Sequence, residues 1–245
     1  MASVINIQNK KIGPHEPVFI IAEIGVNHNG DLNLAKDLIK QAKELGADCV
    51  KFQTFKAKNL VTKKAIKAKY QVLNDKKSKD KSQFEMLKKL ELSQDSFEKI
   101  LKHCTDNDII FISTPYNYED VEFLESYDVP AYKLSSMHSL EPSFANYVAK
   151  KGKPIILSTG MSSLDQIKET VEAINITGNK DLALLQCTTS YPSKISEANL
   201  KTIKTLEKNF NTIVGFSDHT LGHISAVTSV GLGAKIIEKH LTLDK

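Results

Sequence analysis

The sequence contains no arginine, and all 33 of its basic residues are lysines. Recognition of guanine and two-point clamping of carboxylates both favour the planar guanidinium group of arginine. A net charge of +4 is also too small to indicate a nucleic-acid partner by itself. We therefore expect no nucleic-acid partner, and we expect any bound phosphate to be held by lysine, hydroxyl and backbone N–H groups.

Cysteine is scarce, and long apolar runs are missing. The three cysteines, Cys49, Cys104 and Cys187, lack the spacing of a metal site or a disulfide framework, which favours a reducing compartment. The first apolar run ends at Glu23 and has neither the basic start nor the cleavage pattern of a signal peptide. No run is long enough for a membrane-spanning helix. We therefore predict a cytoplasmic protein without a membrane partner.

Eight short apolar runs alternate with amphipathic stretches along the 245 residues. The runs cover residues 18–24, 49–52, 109–113, 131–134, 154–158, 183–187, 212–216 and 234–238. Continuously apolar runs are typical of parallel strands that are covered on both faces. The stretches between them have apolar residues at helical spacing, and Gly46 marks the end of the first helix.

This alternation predicts one α/β domain over residues 1–245, a closed (β/α)₈ (TIM) barrel, a fold that usually needs roughly 250 residues. An open doubly wound sheet is the alternative, but the first strand leads into GVNHNG, which does not fit its glycine-rich phosphate loop. Residues 4–12 fit a hairpin at the floor of the barrel. The chain ends soon after the eighth strand, so we expect most of the last helix to be missing.

A long lysine-rich connection, residues 56–89, follows the second predicted strand. Two interpretations stay open for it. It is either a solvated surface loop or a lid beside an anionic substrate, since the loops after barrel strands build the active site.

Lysines and hydroxyl residues gather at the ends of the predicted strands, where barrel enzymes have their active sites. Lys51 and Lys133 end strands two and four. Hydroxyl residues also follow strands three to seven, among them Thr114, Ser136, Ser158 and Ser217. Each lysine alone is equally well explained as an exposed charge at a strand end. Together with the hydroxyls, the two lysines predict a phosphate or carboxylate ligand.

His219 and His240 end the consecutive strands seven and eight. Neighbouring strands lie roughly 5 Å apart, so the two imidazoles are expected to share one divalent metal ion. We expect Asp218 to orient these ligands from behind. A single histidine is more often a structural residue, and the metal hypothesis depends on the pair.

These residues lie within a set of motifs that resembles the sialic acid synthase family. That family includes N-acetylneuraminate, legionaminate and pseudaminate synthases and spore-coat polysaccharide relatives. The motifs, in order, are IAEIGVNHNGD, KFQ, STPYN, YKLSS, ILSTGMSS, CTTSYP, VGFSDHTLG and GAKIIEKHLTLDK. The resemblance covers the chain from about residue 18 to its end.

The resemblance implies a (β/α)₈ barrel that in the family precedes a small antifreeze-like domain, which we expect to be absent here. It implies condensation of phosphoenolpyruvate with an N-acetylated hexose, such as N-acetylmannosamine, to a nine-carbon sugar acid. It also implies a divalent metal, Mn²⁺ or Mg²⁺, and a homodimer in full-length members. A related phosphoenolpyruvate-dependent sugar-acid synthase and a non-catalytic binding barrel remain as alternatives.

The resemblance also assigns roles to residues. Phosphoenolpyruvate would be bound by Lys51, Thr114, Lys133, Ser136, Ser158 and Ser217. Metal would be bound by His219 and His240. The sugar would be contacted by Glu23, Gln53 and Tyr191, with Asn27 and His28 as further substrate contacts. We expect Glu23, Lys51 and Lys133 to be catalytic. Two positions depart from a common family pattern, His138 and Thr189, and both are expected to lie near the sugar.

Overall fold

The computed structural model describes residues 4–67, 71–72 and 82–244. Its strands are β1 Ile5–Ile7, β2 Lys10–Ile12, β3 Phe19–Gly25, β4 Cys49–Thr54, β5 Ile110–Pro115, β6 Tyr132–Leu134, β7 Ile155–Ser158, β8 Leu182–Cys187, β9 Ile213–Asp218 and β10 Ile236–His240. Its helices are α1 Leu32–Glu44, α2 Ala57–Leu60, α3 Gln83–Leu90, α4 Gln94–Asp106, α5 Tyr118–Glu125, α6 Pro142–Ala149, α7 Leu164–Asn175, α8 Thr202–Phe210 and α9 Ile224–Gly231. Two short 3₁₀ helices are Ser136–Leu140 and Ile195–Glu197.

Strands β3 to β10 form a closed parallel barrel, which confirms the predicted fold. Closure depends on β10, which pairs with β9 on one side and with β3 on the other. The open doubly wound sheet is therefore excluded. The predicted strands match the observed ones to within two residues, and the largest shift is at β10. That strand begins at Ile236 and includes His240, because the ladder with β3 continues to the pair His240–Glu23.

Helix ends follow local capping rules. Asp31 caps α1 by accepting hydrogen bonds from the backbone N–H groups of Asn33 and Leu34. Gly46, two residues after this helix, has a φ of +84°, a left-handed conformation that glycine adopts without strain. Ser163 and Gln166 form the predicted capping box at the start of α7. These local signals set where each helix leaves and rejoins the barrel.

The N-terminal hairpin of β1 and β2 closes one end of the barrel, as predicted. Ile5, Ile7 and Ile12 are buried and belong to the same apolar cluster as the inward-facing side chains near the strand starts. A second cluster, formed by residues that alternate with them, packs outward against the helices. The barrel interior is therefore solid at this end, and among the described residues the cavity inside the barrel lies at the opposite end, where the strands finish.

Candidate active site

A cavity of about 930 Å³ opens at the carboxyl ends of the barrel strands. Its wall contains eleven of the thirteen residues that the sequence nominated: Glu23, Lys51, Gln53, Thr114, Lys133, Ser136, Ser158, Tyr191, Ser217, His219 and His240. These residues come from all eight barrel strands or the turns that follow them. The fold thus brings together side chains that are more than two hundred positions apart in the sequence.

The floor of this cavity is a buried chain of alternating charges. The Lys51 ammonium nitrogen lies 3.0 Å from Glu23 Oε2 and 3.6 Å from Glu238 Oε2. The Lys133 nitrogen lies 3.8 Å from the same oxygen of Glu238 and donates a hydrogen bond of 2.7 Å to Ser158 Oγ. No side chain of the four is more than 7% exposed. Buried charges survive only when they are paired in this way.

The environment separates the pKa values of the two carboxyl groups. Burial raises the pKa of Glu23 to about 7, opposed by the charge of Lys51 and reinforced by Glu238. Burial has the same tendency for Glu238, but Lys133 and Lys51 outweigh it and lower its pKa. Glu238 is therefore ionised at neutral pH, while Glu23 can both accept and release a proton.

The two lysines differ in a related way. Burial opposes the charge of Lys51, yet Glu23 and Glu238 outweigh it and raise the pKa of the ammonium group. For Lys133, the cost of burying the charge outweighs the attraction of Glu238, and the pKa of the Lys133 ammonium group is lowered. Lys51 therefore remains fully charged, while an incoming anion would restore to Lys133 the electrostatic support that burial removes.

Glu238 is a site residue that the sequence reasoning did not nominate. Ser217 donates a hydrogen bond of 2.7 Å to its Oε1, and its other oxygen is the one shared by the two lysines. Side chains two positions apart on a strand face the same side of the sheet. His240 was already placed in the barrel, so the period of two along β10 would have predicted Glu238 as well.

His219 and His240 face each other at the edge of the charged floor, with ring centroids 5.6 Å apart. His219 Nδ1 lies 2.7 Å from the carbonyl oxygen of Thr188. A carbonyl only accepts, so Nδ1 carries the proton and Nε2 keeps a free lone pair. Burial lowers the pKa of both rings, that of His240 to about 4. Two neutral imidazoles fit a divalent transition metal. Among the described residues, no group of three or more His, Cys, Asp or Glu side chains is arranged to hold a metal ion.

The structure places three further residues named from the sequence away from the cavity wall. Asp218 does not orient the pair, because it faces the outside of the barrel and bonds Thr220 and Lys239. Asn27 is not in the cavity wall, since its side chain donates to the carbonyl oxygen of Leu241. His28 is buried, accepts a hydrogen bond from the backbone of Gly30 and also lies outside the wall.

Of the two positions that depart from the family pattern, one lies in the cavity wall and the other does not. Thr189 lines the cavity, as expected. His138 does not, because its ring is turned away and is completely buried against Phe144. The neighbouring Met137 takes part in the wall instead. A side chain in a short turn can point either way, and the motif alone did not reveal which.

The lysine-rich connection after β4 lies over the cavity, which favours the lid interpretation. The described residues from this connection in the wall are Leu60, Val61, Lys67, Gln71, Gln83, Met86, Leu87 and Lys89. The remainder of the expected lid, residues 68–70 and 73–81, lies outside the described residues. None of the described helices is both long and apolar enough to cross a membrane.

Comparison with known proteins identifies the family. A model of the NeuB family matches residues 38–245. The chain belongs to the NeuB family. The predicted resemblance is thereby confirmed, and the chain spans about two thirds of the length of the curated relatives it matches.

Individual members of the family show how similar the chain is. It is 45% identical to an N,N'-diacetyllegionaminic acid synthase of Campylobacter jejuni over 92% of this chain and 68% of the relative. It is 43% identical to the enzyme of the same name from Legionella pneumophila, over 97% of this chain and 69% of the relative. The crystal structure of N-acetylneuraminic acid synthetase from Leptospira borgpetersenii in complex with citrate superposes with a TM-score of 0.88, at 31% identity, over 100% of this chain and 80% of that one.

Proposed function

We propose that this NeuB-family protein joins phosphoenolpyruvate to an open-chain N-acetylated hexose, such as N-acetylmannosamine, and releases phosphate. The observation that carries the proposal is the buried floor of two lysines and two glutamates beside a ring of hydroxyls. The names of the relatives support an enzyme that makes a nine-carbon sugar acid.

Phosphoenolpyruvate presents a phosphate and a carboxylate, and the floor offers partners for both. Lys51 and Lys133 supply positive charge at the buried floor of the cavity, where it acts more strongly than in bulk solvent. Hydroxyls complete the oxygen shell of the anion: Thr114, Ser136, Ser158 and Ser217. Without arginine in the chain, these point charges and hydroxyls are the groups available for the task.

The two carboxyl groups then have separate roles. The methylene carbon of phosphoenolpyruvate attacks the sugar aldehyde, a carbon–carbon bond forms, the aldehyde oxygen takes a proton from Glu23, and positive charge develops at C2 of phosphoenolpyruvate. The ionised Glu238 stabilises that charge. Water adds at C2 and gives one proton to Glu23; as the bond from C2 to the phosphate oxygen breaks, the proton of the new hydroxyl passes to the departing phosphate, and the ketone remains. Inorganic phosphate leaves beside Lys133.

His219 and His240 would hold a divalent metal, Mn²⁺ or Mg²⁺, which when bound polarises the sugar aldehyde as a Lewis acid. Tyr191 packs over these imidazoles, with its ring centroid 4.1 Å from that of His219. Gln53 donates to Glu23 Oε1 at 3.4 Å and lines the same side of the cavity. We propose that both side chains contact the sugar next to the reacting aldehyde.

Phosphate release tests this proposal. With phosphoenolpyruvate, N-acetylmannosamine or a diacetamido hexose, and Mn²⁺, we expect phosphate only when both substrates are present. His219→Ala should slow release by about a hundredfold or more, because several kcal/mol of charge stabilisation are lost. His15→Ala, an exposed histidine near the N-terminal hairpin, should release phosphate at the wild-type rate.

Two outcomes would contradict the proposal. Release only with phosphorylated aldoses would indicate a related sugar-acid synthase. A folded, metal-supplied chain that releases no phosphate with any N-acetyl hexose would indicate a binding barrel.

A further inference from the structure

His138 is a buried polar residue beside the active site that takes no part in the cavity wall. It lies in the 3₁₀ helix Ser136–Leu140, which follows β6, and its exposed fraction is 0%. The ring stacks on Phe144 with 4.6 Å between centroids and lies 6.0 Å from the ring of Tyr116. A polar ring held so tightly, one turn from the ligand site, calls for a physical explanation.

The Nδ1 atom of His138 is directed back to the residue before this turn, and the backbone of Tyr116 is a second polar neighbour of the ring. Ser135 N–H lies 3.2 Å from His138 Nδ1, and Ser135 Oγ lies 3.1 Å from the same nitrogen. A backbone N–H only donates, so Nδ1 must be the acceptor and the proton is on Nε2. The arrangement is a capping box in which histidine stands where glutamate or glutamine is usual.

The turn that His138 caps carries the hydroxyl of Ser136 into the cavity. Ser136 Oγ accepts a hydrogen bond of 3.0 Å from the backbone N–H of Gly160, at the end of β7. Gly160 has no room for a side chain, since a Cβ would lie 2.9 Å from that oxygen and 3.0 Å from the carbonyl of Cys187. Because Oγ accepts this bond, its own hydrogen can be donated either to the neighbouring Cys187 thiol or to a ligand in the cavity.

We propose that His138 is a positioning residue for the substrate anion: by capping the turn at Ser135, it holds the Ser136 hydroxyl against Gly160 and directs it into the cavity. The identity of the anion, phosphoenolpyruvate, rests on the function proposed above. His138 itself touches no substrate, and its whole effect passes through Ser136.

Two substitutions of similar size distinguish the effect of the hydrogen-bonded cap from the effect of the space that the ring fills. His138→Leu keeps the packing against Phe144 but removes the acceptor, whereas His138→Gln can restore the usual capping box. By calorimetry we expect His138→Leu to bind phosphoenolpyruvate about tenfold more weakly, the typical value of one well-placed hydrogen bond. We expect His138→Gln to stay within about threefold of the wild type. In His138→Leu, the kcat measured at saturating phosphoenolpyruvate should change much less than the KM for phosphoenolpyruvate.

A matched control comes from His103 in α4, whose Nε2 is buried without a hydrogen-bond partner among the described residues. His103→Leu loses a comparable ring far from the cavity wall and should bind phosphoenolpyruvate as the wild type does. If both leucine variants weaken binding alike, or if His138→Leu binds normally, the proposal is wrong.

The claim that His138 acts through Ser136 has its own test. In a Ser136→Ala background the hydroxyl is gone, so adding His138→Leu should weaken binding by less than about twofold further. Full additivity of the two substitutions would overturn the positioning role.

Amide hydrogen exchange in the ligand-free protein separates this proposal from the proposed function. Faster exchange at Ser135 and Gly160 in His138→Leu, but not in His138→Gln, supports the cap whatever the substrate is. Unchanged exchange overturns it. Faster exchange together with a wild type that does not bind phosphoenolpyruvate would leave the cap in place and reject the proposed function. If His138→Leu does not fold, the same comparison is made between His138→Gln and His138→Asn, whose shorter side chain cannot reach back to Ser135.

Discussion

The interior of the barrel has two layers with opposite character, built by the same strands. The lower layer, near the hairpin, is apolar and filled; the upper layer, at the strand ends, is charged and borders the cavity. The members of each pair lie two positions apart: Ile21 and Glu23, Cys49 and Lys51, Ala131 and Lys133, Ile156 and Ser158, Ile236 and Glu238. One strand ladder therefore fixes both layers, and the stable layer holds the reactive one in register.

The difference between the layers lies in how their side chains are satisfied. Apolar side chains need only close packing, and each contributes independently by leaving water. The charged residues depend on one another, because each lysine is paired with a glutamate that is also buried. We therefore expect substitutions in the lower layer to affect stability and substitutions in the upper layer to affect turnover.

The largest expected effect is that of Lys133→Met. It removes a charge that would face the phosphate, and we expect phosphate release to fall by about a thousandfold or more. Lys153→Met is the matched control, since Lys153 pairs with Glu125 and Asp128 on the outer surface and should leave turnover intact. Equal losses in the two variants would show that turnover does not depend specifically on the charge of the upper layer.

Ile156→Ala tests the lower layer. Ile156 has an exposed fraction of 0%, and its truncation should lower the free energy of unfolding by about 2–4 kcal/mol through lost burial and a cavity. Turnover per folded molecule should remain. Ile176→Ala, at a side chain that is 83% exposed, should change stability by less than about 0.5 kcal/mol. Denaturant titration measures both, and a loss below about 1 kcal/mol at Ile156 would contradict the comparison.

The smallest effect concerns the pH dependence of stability. The pKa of Glu23 is raised to about 7 from its ordinary value of 4.5, so between these values the folded chain keeps a proton that the unfolded chain has lost. Stability from this group is therefore present below pH 4.5 and is lost as pH rises through 7. Between pH 5 and 8 we expect the wild type to lose about 1–3 kcal/mol relative to Glu23→Gln.

The control for that measurement is Glu169→Gln, on the exposed face of α7. It should keep the pH dependence of the wild type. A wild type and Glu23→Gln with parallel stability profiles would show that Glu23 is ionised across this range.

The fold was predictable because each strand is a continuous apolar run, so position along the chain and placement in the barrel follow from one pattern. Most of the candidate site followed for the same reason: parallel strands carry their final residues to one end. Glu238, the last residue of the predicted eighth strand, was missed because only His240, two positions later, was weighed there. Asp218 was expected to orient His219 because the two are adjacent in sequence. Side chains alternate along β9, however, so Asp218 faces outward when His219 faces inward.

By itself, the amino-acid sequence determined the strand count, the family and the identity of the lysines, hydroxyls and histidines at the strand ends. These are properties of short segments, and local periodicity expresses them directly. Only the tertiary structure decided that Glu23, Lys51, Glu238 and Lys133 form one chain of charges, and that His138 turns away from the cavity. Both outcomes depend on distances between segments far apart in sequence, and on which way a side chain turns in a short loop, and no local pattern encodes either.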